Sequence, residues 1–152
     1  MTDPSSTSPE PPTGTMSALG TAGLFAGLDE AELAAIAQVG HEESYEADQP
    51  IVEVDDPADG MFVILDGHAR VDVGGRFHIL KMGDPFGEMA LVAPGKRMAT
   101  VRAVDPVRVL KIPAEGFQGF LLEHPRVALA MLKTLAVRLR EVEQRIDAWM
   151  AY

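Results

Sequence analysis

Two periods of apolar spacing divide the chain. From residue 24 to about 40, and again from Phe117 onward, apolar side chains recur three and four positions apart. Over residues 41–112 they gather instead into short runs rich in β-branched and aromatic residues. The first helical stretch offers Asp29 as an N-cap ahead of Leu33, Ile36 and Ala37. In the middle, residues 51–54, 61–65, 69–73 and 77–80 read as strands, separated by Asp56-Pro57, Asp66-Gly67 and Gly74-Gly75. Such pairs accept the backbone of tight hairpin turns. Two consecutive hairpins, followed by strands at Val101 and residues 107–112, predict a compact antiparallel barrel or jelly roll over about 41–113, ended by Pro113. Phe117, Phe120 and Leu121 mark a short helix that breaks at His124-Pro125. The last helix is the most regular: Ala128, Leu132, Leu135, Leu139, Val142, Ile146 and Trp149 follow alternating steps of 4 and 3. Arg138, Arg140, Glu141, Glu143, Gln144 and Arg145 flank this heptad seam, which predicts a homodimer. The expected class is mainly β with flanking helices, an α+β fold.

Residues 1–16 are rich in Pro, Ser and Thr and hold little to bury, so they read as a disordered tail before a single domain over 17–152. With 152 residues, 47% of them hydrophobic, one real core is within reach. No apolar run is long enough to span a bilayer, and the N-terminus lacks the basic start and apolar centre of a secretory signal, so a cytoplasmic protein is expected. The absence of cysteine removes a disulfide scaffold and thiolate metal sites. A formal charge of −10 argues against nucleic acid as the main partner, because duplex binding rests on clustered Lys and Arg. A small anion needs only a local positive site.

Residues 86–103, FGEMALVAPGKRMATVRA, are too chemically mixed to be ordinary core. Gly87 opens a short helical run whose first N–H groups lack intrahelical partners, at the end of the dipole that favours an anion. Arg97 follows nine residues after Glu88, and its planar fork can hold two phosphate oxygens at once. Glu88 suits such a site only if it faces another part of the ligand, such as a sugar hydroxyl. A cyclic nucleotide carries both groups on one ring system.

This stretch resembles the phosphate-binding cassette of the cyclic nucleotide-binding domain family, F-G-E-(L/M)-A-L followed after a variable run by R-(A/S/T)-A-(T/S)-V-x-A. That family includes bacterial cyclic AMP receptor-type transcription factors, protein kinase A regulatory subunits and nucleotide-gated channels. The departures are Lys96, where many members have proline, and Met98, where many have a small residue. The resemblance extends to LFAGLDEAELAAIA, like the helical lead-in to the family's β-roll, and to DPADGMFVILDGHARV, like the family's first hairpin, with Asp55 where glycine is common.

The resemblance implies specific roles. Arg97 grips the exocyclic phosphate oxygens, and Glu88 accepts from the ribose 2′-hydroxyl. Backbone donors at Gly87, Ala90 and Met98 or Ala99 complete the cradle, with Met89 inside the same cassette. Val71, Phe77 and Leu80 form the walls. Met98 lacks the hydroxyl that several members preferring cyclic GMP carry after the arginine, which favours cyclic AMP, while its bulk is expected to narrow the pocket. Hydroxyl residues that read adenine in cyclic AMP receptor-type proteins are replaced here by Val142 and Glu143. Val142 and Trp149 are therefore the base-cap candidates, with Tyr152 beside them, although Trp149 also completes the dimer seam formed by Leu132, Leu135, Leu139, Val142 and Ile146.

The resemblance spans residues 24–146 and implies a stand-alone sensor that moves its C-terminal helices and acts on an effector in trans. It implies no catalytic residue, no metal and no cofactor besides the ligand. Two alternatives come from other classes: a dimeric scaffold with a drifted cassette, and a cupin-type metalloenzyme. His41, His68, His78 and His124 are scattered without an H-x-H or H-x-x-x-H pair, which argues against the latter.

Overall fold

The structure is a computed structural model describing the backbone of residues 13–21 and 23–150 and the side chains of 14–20 and 23–147. Helices α1 (Thr13–Thr21) and α2 (Glu30–Val39) come first, with a 3₁₀ turn, Gly23–Phe25, between them. Asp29 caps α2 as its spacing predicts. Its carboxylate accepts from Glu32 N at 2.8 Å while the Glu32 carboxylate accepts from Asp29 N at 3.0 Å, a reciprocal capping box.

Ten strands follow among the described residues: β1 (His41–Tyr45), β2 (Pro50–Val52), β3 (Pro57–Ala58), β4 (Gly60–Asp66), β5 (Ala69–Val73), β6 (Arg76–Leu80), β7 (Pro85–Phe86), β8 (Gly95–Lys96), β9 (Thr100–Ala103) and β10 (Val107–Pro113). A second 3₁₀ turn, Glu88–Leu91, lies between β7 and β8, and helices α3 (Phe117–Glu123) and α4 (Pro125–Met150) come last. The strands form two four-stranded antiparallel sheets, ordered β1-β10-β4-β7 and β2-β9-β5-β6, with β3 and β8 as a separate pair. The α+β roll with flanking helices is thus the fold of the chain.

Strands β4 and β10 explain why their runs place apolar residues at consecutive positions rather than alternating. In β4, Phe62 and Ile64 enter a core between the sheets with Val101, Ala103, Val107 and Val109. Met61, Val63 and Leu65 point the other way, with Leu110 and Ile112 of β10, into a second core built with the helices. At β4 and β10 this first sheet is covered on both faces. Strand β5 contributes Ala69 and Val71 to the inter-sheet core, while Arg70 and Asp72 on its other face are exposed.

Two expectations are corrected. Asp66-Gly67 is not a hairpin turn: β4 pairs with β10 and β7, whereas β5 pairs with β6 and β9, so the link carries the chain from one sheet to the other. The Gly74-Gly75 turn does join paired neighbours as expected, with Val73 opposite Arg76. The tail also ends earlier than residue 16. Thr13–Thr21 is helical, Thr15 is buried and Met16 packs on the helical core, because α1 covers the face of β4 that points away from the roll. The expected disorder of residues 1–12 lies outside the described residues.

Candidate functional site

The site begins where Phe86, stacked on Phe62 at 4.9 Å between ring centroids, ends strand β7. Gly87 then turns the chain with φ 74° and ψ 22°, a left-handed conformation that favours glycine. A second reason for glycine is spatial, since a Cβ there would run into Nη1 of Arg97. The following 3₁₀ turn is anchored by Ala90 and Leu91, both buried, and Leu91 belongs to the helical core.

Arg97 is fixed from both ends. Its backbone N–H donates to Asp56 O at 2.8 Å and its carbonyl accepts from Asp55 N at 2.9 Å. Its side chain is only 5% exposed, and Nη2 donates to Asp59 Oδ1 at 3.1 Å. The other oxygen of Asp59 accepts from Lys111 Nζ, also at 3.1 Å. Both cations stand 5.5 Å from the centroid of the Phe62 ring. Burial alone would raise the Asp59 carboxyl, but the hydrogen bond from Lys111 and the charges of Lys111 and Arg97 outweigh it and hold the group below its ordinary 3.8. Nη1 of Arg97 is buried and has no hydrogen-bond partner among the described residues. An unpaired buried guanidinium N–H is costly, and here it lies beside Gly87.

Arg97 and Gly87 border a cavity of about 380 Å³, in the range of roughly 300–1,000 Å³ typical of small-molecule sites. Val52, Val71 and Val101 of the second sheet make its apolar wall, with Ala58 and Phe86. Gly87, Glu88, Met89, Ala90, Lys96, Arg97, Met98 and Ala99 line the rest. One predicted wall residue, Val71, is therefore in place. The other two are elsewhere: Phe77 is exposed on edge strand β6 with the Arg70 guanidinium 4.2 Å from its ring centroid, and Leu80 packs against the inter-sheet core. The Met98 side chain is 93% exposed, so it contributes to the rim without narrowing the cavity. The Ala90 N–H, an expected donor, is already given to Gly87 O at 3.1 Å.

Glu88 faces α4. Its side chain is 14% exposed, and Oε2 accepts from Arg138 Nη1 at 2.8 Å. Gly23 sits against this pair so closely that a Cβ would run into Arg138 Nη2. Val142, one turn farther along α4, is exposed and does not line the cavity, so it is not a base cap in this arrangement. The Trp149 side chain and Tyr152 lie outside the described residues. Along the predicted seam, Leu135 packs on the helical core, whereas Leu132, Leu139, Val142 and Ile146 are exposed. Among the described residues no group of three or more His, Asp or Glu is placed to hold a metal ion.

The cyclic nucleotide-binding domain profile matches residues 42–124, more than half of the chain and all of the cavity's lining. The chain belongs to the cyclic nucleotide-binding domain family. This cyclic nucleotide-binding domain is similar to the N-terminal domain of a transcriptional regulator from Streptomyces coelicolor, with a TM-score of 0.77, 28% identity, and coverage of 85% of this chain and 94% of that one. It is 34% identical to Glutaminase 2 of Bradyrhizobium diazoefficiens over 88% of its own length and 22% of the relative's. It is 22% identical to a CRP-like cAMP-activated global transcriptional regulator of Mycobacterium tuberculosis over 84% of its own length and 60% of the regulator's. The domain thus spans only part of these curated relatives.

Asp59, Lys111 and Arg138 were not among the residues predicted for the site. Lys111 left a trace in the sequence, as a cation inside the apolar run VLKI of β10. Asp59 and Arg138 left none, because each meets its cassette partner only through the tertiary fold.

Proposed function

We propose that the cavity binds a 3′,5′-cyclic nucleotide, with cyclic AMP preferred, and that the chain is a cytoplasmic regulatory module acting on a partner in trans rather than a catalyst. The observation that carries this reading is the buried, unpartnered Nη1 of Arg97 beside Gly87 at a cavity of ligand size. A cyclic phosphate placed there would satisfy it through a charge-assisted hydrogen bond, worth about 1.5–3 kcal/mol. Micromolar affinity needs about 8 kcal/mol in all. Burial of the nucleoside against Val52, Val71 and Val101 supplies the remainder. To accept from the ribose 2′-hydroxyl, the Glu88 carboxylate turns from Arg138, which holds Oε2, and from Gly23, against which Oε1 sits. Nothing at Met98 offers the hydroxyl associated with cyclic GMP preference.

Transmission follows from the same ion pair. Because Glu88 sits in the cassette and Arg138 on α4, a ligand that repositions Glu88 biases α4, and only such differential contact can shift a conformational equilibrium. The exposed Leu139, Val142 and Ile146 of α4 are the face through which two chains pair.

Calorimetric titration of the full chain and of Arg97→Lys with cyclic AMP and cyclic GMP tests the binding. The full chain binds cyclic AMP more tightly than cyclic GMP, and Arg97→Lys weakens it by about tenfold or more, since an ammonium cannot fork. No heat at millimolar nucleotide would overturn the reading and leave a ligand-independent scaffold.

A further inference from the structure

Lys111 has a place in the architecture that packing does not explain. Along β10, Val107 and Val109 face the inter-sheet core, and alternation puts Lys111 on the same side, opposite Phe62 in the ladder with β4. A lysine directed toward a core is rare unless it is paired. Its side chain is 19% exposed, and its partner is Asp59, the carboxylate that also holds Arg97.

The charges around Arg97 can be counted. Arg97 and Asp59 alone form a neutral pair, and an anion approaching Nη1 would meet a guanidinium already compensated by a carboxylate on its other nitrogen. With Lys111 on the far oxygen of Asp59, the three groups carry one net positive charge, matching the single negative charge of a phosphodiester. Lys96 also lines the cavity, but the count covers only the ion-paired groups: Asp59 is 63% exposed, yet its contacts with Arg97 and Lys111, both mostly buried, keep its charge at the site.

We propose that Lys111 is a positioning residue for anion binding: it engages Asp59 so that the carboxylate orients Arg97 without cancelling its charge. This rests on the assignment of Arg97 to the phosphate. In its absence Asp59 would turn wholly to Arg97, and the site would keep its shape while losing its net charge.

Cyclic AMP titrations of the full chain and of Lys111→Met, Lys111→Arg and the double variant Lys111→Met/Asp59→Asn test the charge count. Lys111→Met weakens binding by about tenfold, while Lys111→Arg stays within about threefold of the parent. In the double variant the Asp59→Asn change still offers Arg97 an oxygen but no charge, so net positive charge returns and affinity recovers to within about threefold of the parent. A purely structural lysine would give the opposite result, with the double variant at least as weak as Lys111→Met, and this would overturn the proposal. Unchanged affinity in Lys111→Met would overturn it too while leaving Arg97 as the phosphate ligand. No binding by the parent chain would remove both assignments together. Circular dichroism of each variant identifies any that fails to fold, and Lys111→Gln then takes the place of Lys111→Met.

Discussion

Gly87 meets two separate demands at one position. Its backbone is left-handed, and the space where a Cβ would stand belongs to Nη1 of Arg97. Relaxing the backbone would not make room for the guanidinium, and moving the guanidinium would not relieve the backbone. Gly87→Ala therefore loses about 1–3 kcal/mol of stability and at least roughly tenfold in cyclic AMP affinity, to be measured by urea denaturation and calorimetry. A loss of stability with full affinity would show that Arg97 has another way to reach the ligand. Glu88 and Arg97 were legible in the sequence because glycine, carboxylate and arginine fall within one short stretch. Their supports were not: Asp59 lies 38 residues from Arg97, and Arg138 lies 50 residues from Glu88. Local spacing carries no information about such pairs.

At the scale of elements, the strands were legible as apolar runs, but the connectivity of β4 and β5 was not. A short link with Asp66-Gly67 at its start looks the same whether it closes a hairpin or carries the chain between sheets. What separates the cases is that β4 is apolar at consecutive positions, so both of its faces are covered, while β5 alternates. Helix α4 shows the converse limit. Its heptad is real as a pattern, yet the structure divides it between two uses: Leu135 packs on the chain's own core, while Leu132, Leu139, Val142 and Ile146 stay exposed. The pairing surface is accordingly expected along the seam's four exposed positions, with Leu135 turned inward between them. Sedimentation should show a dimer for the full chain and a monomer for Leu139→Glu/Ile146→Glu, with cyclic AMP affinity changed by less than about threefold because neither residue lines the cavity. A full chain that is monomeric at high concentration would remove the seam as an interface.

Across the whole molecule, two cores share one sheet, and the cassette lies between them: Phe86 packs against the inter-sheet core, Leu91 belongs to the helical core, and Arg97 borders the cavity between. The buried Nη1 of Arg97 has a consequence for how such a chain changes over generations. Without nucleotide, an unpaired buried donor only lowers stability, and Asp59 would keep Lys111 as a partner if the arginine were lost. Arg97→Met should therefore raise the stability of the nucleotide-free protein by about 1–3 kcal/mol while abolishing nucleotide binding, as read by denaturation and calorimetry. A lower stability would mean that the guanidinium supports the fold by itself. If stability rises, a lineage that stopped meeting the nucleotide would drift toward an apolar residue at this position, and relatives that had done so would be recognisable from that single replacement.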